Sequence, residues 1–131
     1  MAKNSRVVLF ALVKNNKILL ENRPATGYLV PGGAINAHED LEDALKREIM
    51  EELGIIPTEF KLLTNEDIPG LNNNTLKPFI VTSWQGEIPE NILDKKDPHP
   101  LEWMNIDKAL ISIPVKPTKK IVEVLKKYLK K

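Results

Sequence analysis

The sequence predicts an α/β fold in which a mixed, curved β-sheet is sandwiched between helices. Two observations indicate this class: runs rich in β-branched and aromatic residues occur before and after a central helical pattern, and a second helical pattern closes the chain. The 131 residues are 42% hydrophobic, which is enough for one core, and no linker or repeat divides them. We therefore predict a single domain over residues 1–131.

The predicted strands precede and follow the central helix. Residues 6–13 and 17–22 are β-type runs joined by Lys14-Asn15-Asn16, a hairpin signal, and residues 28–30 form a third short run. Pro31-Gly32-Gly33 then predicts a glycine turn, in which the backbone can adopt positive φ and approach a ligand closely. Beyond the helix and on either side of a polar loop, we expect strands at 60–63, 76–85 and 101–106.

The central helix is predicted over Leu41–Leu53. Asp40 is placed to cap its N-terminus, and Gly54 is placed to end it in a left-handed conformation. A short helical turn should start at Asp107, followed by an amphipathic helix from about Thr118. The buried face predicted for that last helix consists of Ile121, Leu125, Tyr128 and Leu129.

Three glutamates on the central helix indicate a site for a divalent cation. Glu48, Glu51 and Glu52 are spaced i, i+3 and i+4, so they project from neighbouring turns of one helical face. Glu52 falls within the apolar stripe of the helix and Glu48 lies beside it, where a carboxylate is costly unless it is paired, hydrogen-bonded or metal-bound. Hard oxygen ligands of this kind favour Mg²⁺, with Mn²⁺ as a substitute. The Gly33 carbonyl is the backbone ligand that we expect.

Nine positions between residues 33 and 55 follow one spaced pattern, G-x(5)-E-x(7)-R-E-U-x-E-E-x-G-U, where U is a bulky aliphatic residue. The residues at the specified positions are Gly33, Glu39, Arg47, Glu48, Ile49, Glu51, Glu52, Gly54 and Ile55. This pattern is similar to the signature of the Nudix hydrolases, and the order of the flanking elements resembles that family too. The resemblance implies the Nudix fold.

The resemblance also implies a chemistry, in which water attacks a phosphorus atom of a nucleoside diphosphate linked to another group. Carried over by position, Glu51 and Glu52 are the first-choice metal ligands, and Glu48 is either a ligand or the base that prepares the water. We assign catalytic roles to Glu48 and Glu52 on this ground. In the family, the residues matching Glu39 and Arg47 pair with each other, so a structural brace is expected here.

The C-terminal segment Asp97-Pro98-His99-Pro100-Leu101-Glu102-Trp103-Met104 resembles MutT-type Nudix enzymes, which hydrolyse nucleoside triphosphates to the monophosphate and pyrophosphate. Asp97 lies where that subgroup has an extra acidic residue, so it is a metal ligand, a catalytic base or an ordinary Asp-Pro turn. Val115, Lys116 and Pro117 occupy the stretch where the subgroup has a purine-selecting asparagine. ADP-ribose or another nucleoside diphosphate derivative is the alternative substrate.

Two further residues are candidates for binding the substrate. Arg23 is either a phosphate contact or a solvent-exposed arginine at a strand end. Tyr28, on the loop leading to the site, is the preferred residue for stacking on a base. His38 and His99 are the only histidines, and we expect both in surface loops.

Composition limits the partners. A net charge of +1 gives no bulk attraction to nucleic acid or to an anionic membrane, so the expected partner is a small nucleotide, with the protein a monomer or homodimer. The absence of cysteine excludes disulfides and thiolate catalysis and permits a reducing compartment, and we expect a cytoplasmic protein. No apolar run approaches the roughly 18 residues of a membrane span.

Two rival interpretations remain at this stage. One is a non-catalytic Nudix-fold module that binds a nucleotide without cleaving it, although such modules usually carry a degraded signature. The other treats the acidic helix as a solvated or protein-binding face with i, i+4 pairs such as Glu42–Lys46. Addition of metal should stabilise the protein only if the carboxylates form a metal site.

Overall fold

The computed structural model describes residues 5–130. Their strands form one mixed sheet with the central order β3-β2-β1-β7-β5, in which β1 and β7 are parallel and the other pairs antiparallel. Three short strands extend it: β4 pairs with β1, β6 with β7 and β8 with β2. The strands are β1 Arg6–Lys14, β2 Lys17–Arg23, β3 Gly27–Leu29, β4 Gly32–Ala34, β5 Ile56–Leu62, β6 Ile68–Pro69, β7 Thr75–Gln85 and β8 Leu101–Asn105.

Helices cover both faces of this sheet, as the predicted fold class requires. Helix α1 (Leu41–Leu53) packs on one face, while α2 (Ile106–Ser112) and α3 (Lys116–Leu129) pack on the other. The sheet has a hydrophobic core on each face. Alternate residues of β1 pack into one core or the other, because successive side chains of a strand point to opposite faces. Phe10 lies in the core under α1, and Ala11 in the core under α3. The α/β prediction is therefore confirmed.

The local sequence signals of the N-terminal half are confirmed. Asn15 and Asn16 have φ angles of 53° and 62°, and the hairpin register pairs Lys14 with Lys17. Helix α1 has the predicted bounds. The Asp40 side chain accepts a hydrogen bond from the Asp43 amide at 3.0 Å, and Gly54 ends the helix with a φ of 67°.

Several boundaries differ from those predicted. Gly32 and Gly33 belong to β4 and lack positive φ angles, so the predicted glycine turn is wrong. These residues are glycines because a Cβ at either position would collide with a neighbouring segment. In the predicted polar loop, β6 pairs with β7, and Leu71–Asn73 form a 3-10 turn. Strand β5 begins at Ile56, before the predicted start.

The last helix also differs from prediction, since it starts at Lys116 with a proline in its first turn. Its buried face includes Val122 rather than Leu129, whose side chain is 41% exposed near the end of the helix. No helix within residues 5–130 is long and apolar enough to cross a membrane.

Candidate active site

Helix α1 presents its glutamates at different depths. Glu48 and Glu52 are buried, with 8% and 3% of their surfaces exposed, whereas the Glu51 side chain is 45% exposed. The apolar stripe of α1 packs against the sheet, so side chains next to that stripe are carried into the interface. The position of Glu52 in the apolar stripe, with Glu48 beside it, is confirmed by their burial.

Arg47 links the helix to the loop before it. Its Nε donates to Glu39 Oε2 at 2.8 Å and its Nη2 to Glu39 Oε1 at 2.9 Å, a bidentate pair. Nη2 also donates to the Ala34 carbonyl at 2.9 Å. These hydrogen bonds from Arg47 lower the pKa of Glu39 to about 2, with help from the Asn36 amide.

Arg47 also holds two of the three clustered carboxylates. Its Nη1 lies 3.1 Å from Glu48 Oε2 and 3.4 Å from Glu51 Oε1. Across residues 5–130, no group of three or more acidic or histidine side chains is arranged so that it could hold a metal ion. The guanidinium therefore occupies carboxylate oxygens that the predicted ligand set would need, and that set remains a prediction.

Glu52 carries a buried carboxyl oxygen that has no partner. Its Oε1 is buried and has no hydrogen-bond partner. Burial raises the pKa of Glu52 to about 8; the charge of Lys95 opposes this rise, and the negative charges of Glu21 and Glu48 add to it. A buried carboxyl oxygen without a partner destabilises the folded protein unless a cation or a hydrogen-bond donor binds to it.

The donor chemistry of this region fits a hard divalent cation. The orphaned Glu52 oxygen lies on the same helix as the Glu48 carboxylate, and both are hard oxygen donors. Gly33 comes close to Glu48: a Cβ on Gly33 would lie 2.2 Å from Glu48 Oε1. Glu48, Glu51, Glu52 and the Gly33 carbonyl remain the groups predicted to hold the ion.

A third buried carboxylate, Glu21 on β2, was missed in the sequence. Its side chain is fully buried, and Oε1 accepts from Arg23 Nε at 2.9 Å and lies 3.0 Å from His99 Nδ1. The prediction that His99 is a surface residue is wrong, because its side chain is only 15% exposed. A glutamate directly after the apolar run Ile18–Leu20 was the available signal. His38 is exposed, as expected.

Asp97 lies in the segment between β7 and β8 and is exposed. A hydrogen bond joins the two ends of the loop within this segment, with the Ile92 amide donating to the His99 carbonyl at 3.0 Å. It also touches α1, since the Leu93 amide donates to the Glu52 carbonyl at 2.9 Å. Asp97 is therefore on a loop tip attached to the acidic helix, but it makes no side-chain contact with the glutamates.

A cavity of about 360 Å³ lies on the α3 side of the sheet. Apolar side chains from β1, the 3-10 turn and the start of α3 line it, together with Arg23. Gly32 also lines it, while the next residue, Gly33, faces Glu48. Tyr28 does not line this cavity; its hydroxyl donates to Glu102 Oε1 at 2.9 Å, which raises the tyrosine pKa.

Comparison with known proteins identifies the class. The NUDIX domain family matches residues 3–127, so the chain belongs to the Nudix family. An 8-oxo-dGTP diphosphatase of Escherichia coli K12 is 33% identical over 99 residues, covering 71% of this chain and 73% of that protein. The enzyme of the same name from Proteus vulgaris is 36% identical over 84 residues, covering 59% and 74%.

Solved structures agree with this assignment. The MutT NUDIX hydrolase from Burkholderia pseudomallei superposes with a TM-score of 0.73 at 27% identity, covering 93% of this chain and 98% of that one. The resemblance to MutT-type members of the family is therefore confirmed.

Proposed function

We propose that this protein is a Mg²⁺-dependent Nudix pyrophosphohydrolase that converts a nucleoside triphosphate, including oxidised or non-standard ones, to the nucleoside monophosphate and pyrophosphate. The relatives named 8-oxo-dGTP diphosphatase support this substrate class. The observation that carries the proposal is the buried, unpartnered Glu52 Oε1, next to Glu48 on the helix of a complete Nudix signature.

The chain's own residues have separable roles in this proposal. Glu48 and Glu52 supply the buried carboxyl groups, and Glu48 is the first choice for the group that takes a proton from the attacking water. Arg47 and Glu39 fix the helix to the preceding loop. A bound divalent ion would neutralise charge on the polyphosphate and lower the pKa of water.

The cavity suits the nucleoside part of such a substrate. Its volume falls within the range of small-molecule sites, roughly 300–1,000 Å³, and its lining is mainly apolar. Arg23 also lines this cavity, which supports the proposal that its guanidinium contacts a phosphate. With Glu102 bonding Tyr28, a stacking role for Tyr28 stays a prediction.

The direct test is hydrolysis by purified protein with Mg²⁺. The panel contains the common nucleoside triphosphates, 8-oxo-dGTP, ADP-ribose and a dinucleoside polyphosphate, with products identified by chromatography and mass spectrometry. We expect pyrophosphate and a monophosphate from a triphosphate. Cleavage of ADP-ribose alone would replace the proposed substrate with the alternative one, and nucleotide binding without turnover would favour the non-catalytic module.

Glu52→Gln separates the metal site from the fold. Removing one charge without changing shape should lower kcat by about 10²-fold or more, since metal-assisted charge stabilisation is lost. Without metal, the variant should melt at or above the wild-type temperature, because glutamine lacks the ionisable carboxyl group whose charged form burial disfavours. The rise in Tm that Mg²⁺ gives the wild type should disappear. An unchanged rate would remove Glu52 from the mechanism.

A further inference from the structure

Glu21 is the most completely buried ionisable side chain among the described residues. Along β2 it lies on the same face as Leu19, which packs in the core under α1. Its carboxylate therefore faces the side of the sheet that carries the acidic helix. The negative charge of Glu21 also raises the pKa of Glu52, which is consistent with that placement.

One carboxylate serves two partners that come from different parts of the chain. Arg23 donates to it from the same strand, with Nε 2.9 Å from Oε1 and Nη2 3.5 Å from Oε2. His99, 78 residues away, places Nδ1 3.0 Å from the same Oε1. Burying a carboxylate of this kind destabilises the folded state, since desolvating an ion costs several kcal/mol.

The His99 contact fixes one arm of the loop that carries Asp97. The loop arms are joined by the Ile92–His99 backbone hydrogen bond, and the outgoing arm is tied to α1 through the Leu93 amide. The returning arm is tied to the sheet by the His99–Glu21 side-chain contact and by the Asn22 amide, which donates to the Pro100 carbonyl at 2.8 Å. Residues 93–98 therefore form a loop that is anchored to α1 at one end and to β2 at the other, and it begins beside Glu52.

We propose that Glu21 is a positioning residue of the active site, which orients Arg23 and, through His99, holds loop 93–98 next to the acidic helix. This inference rests on the proposed hydrolase function. Arg23 then approaches the substrate in a fixed orientation, and Lys95 and Asp97 are kept near α1. Neither effect requires Glu21 itself to touch the substrate.

The kinetic test compares Glu21→Gln with wild type at saturating Mg²⁺. Losing the carboxylate should raise KM through Arg23 and lower kcat through the loop, with kcat/KM falling about 10–100-fold. His99→Ala should lower kcat while leaving KM near the wild-type value, because the Glu21–Arg23 pair survives. His99→Asn, which keeps a side-chain N–H, should restore most of kcat. Asp107→Asn, which removes a surface ion pair with Lys126, is the matched control.

A second readout needs neither substrate nor metal. Lys95 and Lys96 are exposed trypsin sites inside the loop. Losing the side-chain tie should leave the returning arm held by backbone hydrogen bonds alone, and cleavage after these lysines should accelerate about tenfold in Glu21→Gln and His99→Ala, since local opening exposes the backbone. Mass spectrometry of the fragments identifies the bond, and Asp107→Asn should cleave at the wild-type rate.

The outcomes are distinguishable. Wild-type kcat, KM and loop cleavage in Glu21→Gln would overturn the inference, as would a lower Tm with kcat and KM unchanged, which indicates a purely structural carboxylate. If Glu21→Gln does not fold, His99→Ala and His99→Asn decide the question. If the wild type hydrolyses no nucleotide, the proposed function fails, while the proteolysis still shows whether Glu21 holds the loop.

Discussion

At the scale of single residues, two adjacent glycines determine how closely β4 approaches its neighbours. A Cβ on Gly32 would lie 2.2 Å from the Val8 carbonyl oxygen, and one on Gly33 would lie 2.2 Å from Glu48 Oε1. Neither glycine has a positive φ, so space rather than backbone conformation requires them. The obstacle is rigid backbone in the first case and the end of a flexible side chain in the second.

This contrast predicts opposite phenotypes for the two alanine variants. Gly32→Ala should lower the free energy of unfolding by about 1–3 kcal/mol, because β1 backbone cannot move aside cheaply. Gly33→Ala should cost less stability but displace the Glu48 carboxylate and lower kcat about 10²-fold. Urea unfolding and steady-state kinetics of both variants test this. Equal stability losses, with kcat preserved in Gly33→Ala, would contradict it.

At the scale of elements, α1 is held at its ends and along its length. The cap by Asp40, the left-handed Gly54 and the Arg47 contacts with Glu39 and Ala34 together fix the helix against the sheet and the preceding loop. The expected Glu42–Lys46 pair does not form; Lys46 lies 5.6 Å from the centre of the Phe60 ring instead. This fixed position of α1 keeps Glu48 and Glu52 buried.

The Glu39–Arg47 pair predicts an acid-dependent stability. Because the pKa of Glu39 is lowered to about 2, the folded state gains stability above the ordinary pKa of about 4.5 and loses it as pH falls from there towards 2. Glu39→Gln should therefore melt below wild type at pH 7. The two Tm curves should converge as pH falls through this window. A constant Tm difference across the window would show that the charge pair is not responsible.

At the scale of the whole molecule, the sheet separates an apolar cavity from an acidic helix. Strand β4 lies between them, with Gly32 facing the cavity and Gly33 facing Glu48. A nucleotide has the same division, an aromatic base at one end and a polyphosphate at the other. A single nucleotide that lies across β4 would contact both the cavity and the acidic helix, which is consistent with the proposed function.

Filling the cavity should impair nucleotide binding and spare the metal site. Val115→Phe, at the start of α3, places a larger side chain in the cavity lining and should raise KM about tenfold. The increase in Tm caused by Mg²⁺ should remain, since Val115 lies on the other side of the sheet from Glu52. Ile111→Phe, at an 83% exposed position, is the matched control. A KM unchanged by Val115→Phe would place the nucleoside elsewhere.

The sequence by itself determined the elements whose causes are local. The hairpin at Asn15 and Asn16, the bounds and caps of α1, and the burial of Glu48 and Glu52 all follow from turn chemistry or from spacing along one helix. The signature also identified the family, because its nine positions lie on one short stretch of chain.

Only the tertiary structure decided the contacts that join distant segments. Glu21 and His99 are 78 residues apart, and β2–β8 pairing brings them together, so no local pattern could predict their hydrogen bond. The close approach of Gly33 to Glu48 could not be predicted from a local pattern either, since it depends on how β4 and α1 pack against each other. Local propensity is encoded within a few residues, whereas the burial of a charge depends on which strands and helices surround it.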